Sequence, residues 1–293
     1  MKNLFYPPRI FGAIPQELAS LERARVVVLP VPYDSTTGYR AGARDGPQAI
    51  IDASQYIELY DHELRREICE VGIHTLPEVE PLVSSPKAMI ERVAQAAGHF
   101  VQQDKLLVTL GGEHSITLGA VQAHLKRYPN LSVLQLDAHT DLRDEYLGTK
   151  YSHASVMRRV LELCPIAQVG IRSLSLEEQG FIDEKRLRPY FAEELAANPQ
   201  VIEEVLAGLQ DDVYLTIDLD VLDPSIMSAV GTPEPGGLTW QSTLHLLRTV
   251  AERKRIVGVD LVELCPQEGP TACAFLAGKL AYKLMGYATQ QTA

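Results

Sequence analysis

Leu131-Ser132-Val133-Leu134-Gln135-Leu136-Asp137-Ala138-His139-Thr140-Asp141 passes without a break from a short apolar run into a string of ionisable side chains. A run of this length, rich in leucine and valine, reads as a strand buried on both faces. Two more segments repeat the pattern. Lys105 to Leu110 leads into Gly111-Gly112-Glu113-His114, and Val213 to Ile217 leads into Asp218-Leu219-Asp220. Arg25 to Val31, Ile166 to Ile171 and Arg255 to Val259 are further strand candidates. Helical patterns separate them: Pro47 to Leu59, Lys87 to Gln103, Ser115 to Arg127, Ser152 to Leu163, Pro199 to Leu209, Thr239 to Arg253 and Pro270 to Met285. Strands alternating with helices specify a parallel sheet covered on both faces. No repeat, low-complexity stretch or linker interrupts the alternation, so one α/β domain over residues 1–293 is expected. Ligands of such sheets bind beyond the carboxyl ends of the strands, where the three polar clusters converge.

Composition narrows the partners. The 27 Lys and Arg residues against 38 Asp and Glu give a net charge of −11, and no basic stretch is long enough to track a phosphate backbone. Nucleic acid is therefore not expected as a partner. An acidic surface favours metal ions and small cationic substrates. Cys69, Cys164, Cys265 and Cys273 form no CxxC pair, which argues against a structural zinc site or a disulfide framework and for small buried core residues. Met1-Lys2-Asn3-Leu4 opens no signal pattern, and no apolar run approaches the ~20 residues of a membrane span, so a cytoplasmic protein without membrane contact is the expectation.

In extended backbone, alternate residues share a face, so Asp137, His139 and Asp141 point together while Ala138 and Thr140 point away. The same period pairs Asp218 with Asp220. Charges leaving buried strands need partners, because an unpaired buried charge costs several kcal/mol or more. With His114, the set comprises four carboxylates and two imidazoles, too many for one tetrahedral zinc and rich in hard oxygen. Two ions ~3.5–4 Å apart, bridged by a carboxylate, would use all six, and manganese suits such a donor set.

Taken together, these motifs resemble the ureohydrolase family of arginases and agmatinases. The resemblance runs through Pro32-Tyr33-Asp34, Gly42-Ala43-Arg44-Asp45-Gly46-Pro47, Gly111-Gly112-Glu113-His114-Ser115, the Asp137 cluster, Ser152-His153-Ala154-Ser155, Gly170-Ile171-Arg172-Ser173, Asp218 to Pro224, Gly231 to Leu238, and Val262-Glu263. It implies a three-layer α/β/α fold with a mostly parallel central sheet, two Mn2+ per subunit, a trimer or hexamer, and hydrolysis of a guanidino compound by a hydroxide held between the ions. By motif position, His114, Asp137, Asp141 and Asp218 match ligands of one ion and Asp137, His139, Asp218 and Asp220 ligands of the other. Asp137 and Asp218 would bridge. Asp141 would also orient the hydroxide, His153 matches the histidine that shuttles protons to the departing amine, and Glu263 matches the glutamate that pairs with the guanidinium head. His62, His74, His99, His124 and His245 match nothing.

The substrate's tail is read from Leu142-Arg143-Asp144-Glu145-Tyr146-Leu147-Gly148. Asp144 and Glu145 would repel a substrate carboxylate, and the string resembles bacterial agmatinases, so agmatine, cleaved to putrescine and urea, is the expected substrate. Arg143 runs against this, since it could bind the carboxylate of guanidinobutyrate or formiminoglutamate unless Asp144 or Asp34 neutralises it. The sequence departs from the family at Ser228-Ala229, where Pro-Gly is usual, which implies a looser loop before Gly231. It departs again at Gln267-Glu268-Gly269-Pro270, a shortened connection expected near the pocket rim. Two rival readings are a hydrolase of arginine or an acidic guanidino compound, and a catalytically silent scaffold that keeps the fold. Retention of the six ligands with His153 and Glu263 argues against the scaffold.

Overall fold

The structure, a computed structural model, describes residues 9–198 and 200–290. Met1 to Leu4 and Pro199, both used above, lie outside the described residues. Eight strands form one sheet: β1 (Val26–Val31), β2 (Ile73–Thr75), β3 (Leu106–Gly111), β4 (Ser132–Leu136), β5 (Ile166–Ile171), β6 (Tyr190–Phe191), β7 (Asp212–Asp218) and β8 (Arg255–Val262). Their spatial order is β2-β1-β3-β8-β7-β4-β5-β6, and every neighbouring pair is parallel.

Side-chain alternation along the strands divides the apolar residues between two cores. Val27, Leu29, Leu107, Val133 and Tyr214 face helices α2 (Pro86–Val101), α3 (Thr117–Leu125), α4 (Val156–Leu161) and α5 (Leu176–Lys185). Val26, Val28, Val108, Leu134 and Leu215 face α1 (Gly46–Ser54), α6 (Ala192–Ala197), α7 (Val201–Gly208), α8 (Trp240–Arg253) and α9 (Ala272–Ala288). Both faces of each strand are thus apolar, which is why the strands read as continuous runs. The result is the expected three-layer α/β/α arrangement.

The chain builds β1, β2 and β3, jumps two positions to lay down β4 to β6, and returns to fill the gap with β7 and β8. Register then sets the site. Leu110 lies beside Leu261, Leu261 beside Ile217, and Ile217 beside Leu136. Gly111, Val262, Asp218 and Asp137 follow at one level, so the four central strands deliver their polar successors to one place.

Several boundaries differ from expectation. β8 continues to Val262, past the expected end at Val259; buried Asp260 is accommodated there because its Oδ2 accepts from Thr117 Oγ1 (2.9 Å) and the Tyr214 hydroxyl (2.7 Å). The segment after Ser152 opens as a 3-10 turn, His153–Ser155, before α4. The edge strands β2 and β6 and the helices α5 and α6 were not anticipated. α5 carries a capping box between Ser175 and Glu178, a legible start signal. The loop before Gly231 is not loose: Met227, Ala229 and Val230 are fully buried, and the Cys265 amide donates to the Ala229 carbonyl at 2.8 Å. The four cysteines are free and buried. Among the described residues no helix is long and apolar enough to cross a membrane.

Candidate metal centre

His114 owes its place to Gly112. The Gly112 amide donates to the Val31 carbonyl, the Glu113 amide to the Tyr33 carbonyl (2.7 Å), and the Glu263 amide to the Gly112 carbonyl (2.8 Å). The end of β3 is thereby pinned between those of β1 and β8. A side chain at Gly112 would stand 2.0 Å from the Tyr33 carbonyl oxygen. The Nε2 of His114 lies 2.7 Å from Thr216 Oγ1 on β7, which commits the ring's other nitrogen to the carboxylates. That Nδ1 is 3.1 Å from both Asp137 Oδ2 and Asp141 Oδ2, and 3.5 Å from Asp218 Oδ2. It is buried and makes no hydrogen bond of acceptable geometry to any of them. A lone pair facing three carboxylate oxygens fits a cation between them.

A second group abuts the first. His139 Nδ1 is 3.0 Å from Asp220 Oδ2 and 3.6 Å from Asp137 Oδ1. Asp137 therefore presents one oxygen to each histidine, the arrangement a bridging carboxylate needs. Ligand atoms of His114, Asp137 and Asp218 lie within 4.8 Å of one another, as do those of Asp137, His139 and Asp220. The supports are backbone and amide groups. Gln135 Nε2 and the His139 amide donate to Asp137, the Ala138 amide donates to Asp220, and the Asp220 amide donates to Asp218. The alternation expected after Leu136 works through a bend rather than a strand, and Leu219–Val221 is a 3-10 turn. Asp141 adopts φ +52° to turn its carboxylate back toward His114.

The side chains alone cannot hold their charges comfortably. Burial, then repulsion from Asp137, pushes Asp141 up to about 7. Asp218 is driven well above the carboxylate range by burial and by Asp220 and Asp137. For Asp137, burial is outweighed by the histidines, and its carboxyl is held below the usual range. His139 is raised to about 12, since Asp220 and Asp137 overcome the burial that favours its neutral form. Divalent cations would let all four carboxylates ionise.

These residues floor a cavity of about 310 Å3 whose walls include Thr37, Tyr39, Arg40, Arg143, Tyr146, His153, Leu174, Glu178, Thr232 and Glu263. Glu263 is held at φ +68°, with Oε1 accepting from the His114 amide at 2.7 Å. Burial, then the charge of Glu113, raises its carboxyl to about 8. Gly231 lies beside Oε2, where a Cβ would stand at an ordinary 4.0 Å, and both residues line the cavity. His153 stands over the floor, edge-on to the Tyr146 ring at 5.4 Å, and is lowered to about 4 by burial and by His114 and His139.

Arg143 is not neutralised by Asp144 or Asp34. Its Nε is 3.9 Å from Glu178 Oε2 and its guanidinium lies over the Tyr146 ring, whereas Asp144 is drawn outward by Lys150, Arg158 and Arg159 and Asp34 is held by Arg44. Asp144 is not among the cavity's lining residues, so it is not placed to repel a substrate carboxylate. The shortened loop does reach the rim: Glu268 pairs with Arg40 at 3.1 Å. Sequence reading gave no role to Thr36, Glu113, Tyr146 or Glu178. Glu178 was detectable through its capping box, and Glu113 through its place beside His114.

A model of the arginase family matches residues 24–286. The N(1)-aminopropylagmatine ureohydrolase of Synechocystis sp. is 43% identical over 283 residues, covering 93% of this chain and 92% of that protein. The agmatinase of Bacillus cereus is 35% identical, covering 84% and 86%. Among solved structures, the agmatine ureohydrolase of Thermoplasma volcanium superposes with a TM-score of 0.88 at 32% identity, covering 97% of this chain and 95% of that one.

Proposed function

The chain belongs to the arginase family, and from that premise we propose that it is a two-metal hydrolase releasing urea from a guanidino group carried on a polyamine tail. The observation that carries this reading is the pair of acid and histidine groups sharing Asp137 at the floor of a cavity that Glu263 also lines. His114, Asp137, Asp141 and Asp218 would hold one ion, and Asp137, His139, Asp218 and Asp220 the other. The oxygen-rich donors favour Mn2+. Two such ions supply a water ionised near neutral pH and a counter-charge for the electron-rich transition state.

The remaining chemistry falls to the protein. Glu263 Oε2 accepts from the guanidinium N–H groups and fixes the carbon over the floor; a carboxylate is the geometric match for that planar fork. Its left-handed backbone costs on the order of 1 kcal/mol and is held by the Gly112 carbonyl and by the Val230 to Leu264 bridge. Asp141 would accept a hydrogen bond from the attacking water and orient it. His153 gives a proton from Nε2 to the departing amine nitrogen and regains it at the cavity mouth.

For the tail, the order of preference is N(1)-aminopropylagmatine, then agmatine. The more similar of the two curated relatives carries the first name, at 43% identity against 35%. The walls agree with a long aliphatic amine. Tyr39, Tyr146 and Leu174 offer surface to methylenes, and Arg40 is neutralised by Glu268. The agmatine expectation thus keeps its reaction and loses its argument from Asp144. Urea release from aminopropylagmatine, agmatine, arginine and guanidinobutyrate, with Mn2+ present, tests the reading. Highest kcat/KM is expected for aminopropylagmatine. Preference for guanidinobutyrate would move Arg143 into the role of carboxylate anchor and overturn the cationic tail, and an absence of urea from all four would overturn the function.

A further inference from the structure

Beside His153 stands a polar chain that the reaction as described does not use. Thr36 Oγ1 is 3.1 Å from His153 Nδ1, and it also accepts from the His153 backbone amide at 3.1 Å. The same hydroxyl donates to Glu113 Oε1 at 2.7 Å, and the Thr36 amide donates to Glu113 Oε2 at 2.6 Å. Ser115 Oγ donates to Glu113 Oε1 as well. Thr36 and Glu113 are buried, so these contacts do not compete with water.

A threonine hydroxyl has one hydrogen to give. As a carboxylate Glu113 can only accept, so with three donors converging on its ionised form the Thr36 hydrogen is spent on it. The hydroxyl's remaining capacity is two lone pairs, one taken by the His153 amide. The other can meet Nδ1 only if Nδ1 bears a hydrogen. We propose that Thr36, anchored by Glu113, is a positioning residue that holds neutral His153 as its Nδ1–H tautomer, so that a bare Nε2 faces the cavity. The catalytic role of that tautomer rests on the guanidino-hydrolase reading above. Its purpose is directional: Nε2 collects a proton from the mouth and passes it to the departing amine, while Nδ1 never exchanges its own. A ring flipped to the other tautomer would present an N–H that cannot take a proton up.

Thr36→Val tests this, since it keeps the shape and the backbone hydrogen bond to Glu113 and removes only the hydroxyl. Thr36→Ser restores it. In metal-free protein labelled with 15N-histidine, and with His153 assigned through His153→Gln, wild type and Thr36→Ser are expected to show a protonated-type Nδ1 and an unprotonated-type Nε2 at a pH where the ring is neutral and Glu113 is ionised. Thr36→Val is expected to mix the two tautomers. With Mn2+ and substrate, Thr36→Val should lose roughly tenfold to a hundredfold in kcat with KM within about twofold, and Thr36→Ser should recover to within about threefold of wild type. An Nε2–H tautomer in the wild type, or the same spectrum in Thr36→Val, overturns the proposal. So does a loss of kcat that Thr36→Ser fails to rescue. If the wild type releases no urea from any guanidino compound, the hydrolase reading falls, and the spectrum still decides the tautomer.

Discussion

Replacing Gly112 with alanine adds a single methyl group at the point where three strand ends meet. The new Cβ would lie 2.0 Å from the Tyr33 carbonyl oxygen, where real Cβ atoms essentially never come within 3.0 Å, and Tyr33 C and N are close behind at 2.8 and 2.9 Å. These are backbone atoms, so no side chain can swing aside, and the ends of β1 and β3 must part by about 1 Å. That displacement carries the 2.7 Å bond from the Glu113 amide to Tyr33 beyond hydrogen-bonding range. Strain and the lost bond together cost roughly 2–4 kcal/mol. It also moves His114, two residues on, while metal ligands tolerate only about ±0.2 Å. Asp137, His139 and Asp220 ride on other strands and stay. Gly112→Ala is therefore expected to fold with a lowered Tm, to keep one ion per chain by elemental analysis, and to lose turnover by on the order of a hundredfold. Gly98→Ala, inside α2 with nothing within 4 Å of its Cβ, serves as the control and should be neutral or stabilising by about 0.5–1 kcal/mol. A Gly112→Ala protein with two ions and wild-type turnover would refute the claim that this close backbone approach positions His114.

Other predictions concern the two metal groups, the proton path and a distant ion cluster. Asp220→Ala removes one of the oxygens facing His139 and should reduce metal content from two ions to one per chain and abolish urea release, which metal analysis and a urea assay read directly. His153→Ala should lower kcat by about 10²–10⁴ while both ions remain bound; loss of metal with unchanged turnover per bound pair would show that His153 is a ligand instead. Lys283 is buried between Asp61 (3.1 Å) and Glu63, and Glu63 also pairs with Arg248 (3.0 Å) and accepts from Tyr287, so Lys283→Met leaves buried Asp61 without its cation and should cost about 3 kcal/mol in denaturant unfolding at pH 7. Despite burial, both acids are held below their ordinary range by Lys283 and their hydrogen bonds. Their contribution is complete above the ordinary carboxylate pKa of about 4 and disappears as pH falls through the lowered folded-state values. The gap between wild type and Lys283→Met should therefore narrow in acid, and a gap that widens there would contradict the pairing.

The layout of the sheet was legible because strands buried on both faces are continuous apolar runs, and all six such runs became strands. β2 and β6 were not legible, since two or three residues at a sheet edge carry no period. The end of β8 was misjudged for a different reason: Asp260 looks like a terminus until Tyr214 and Thr117, distant in sequence, are seen donating to it. At the site, residue types and spacing named the groups that gather around Asp137. Spacing could not show that Asp137 divides its oxygens between two histidines, because that depends on the registers that carry β3 across β8 and β7 to β4. Nor could it show where charges point. Asp144 was expected to face the substrate from the loop that contains it, yet three cations on the far side hold it outward. Thr36 is invisible in sequence because its meaning depends on His153, which lies 117 residues away.

The central claim is that two ions act together on one guanidino group, and titrating metal-stripped protein with Mn2+ while following urea release from aminopropylagmatine or agmatine tests it most directly. Urea release should stay low through the first equivalent per chain and rise with the second. Full activity at one equivalent, or none at any, would contradict it.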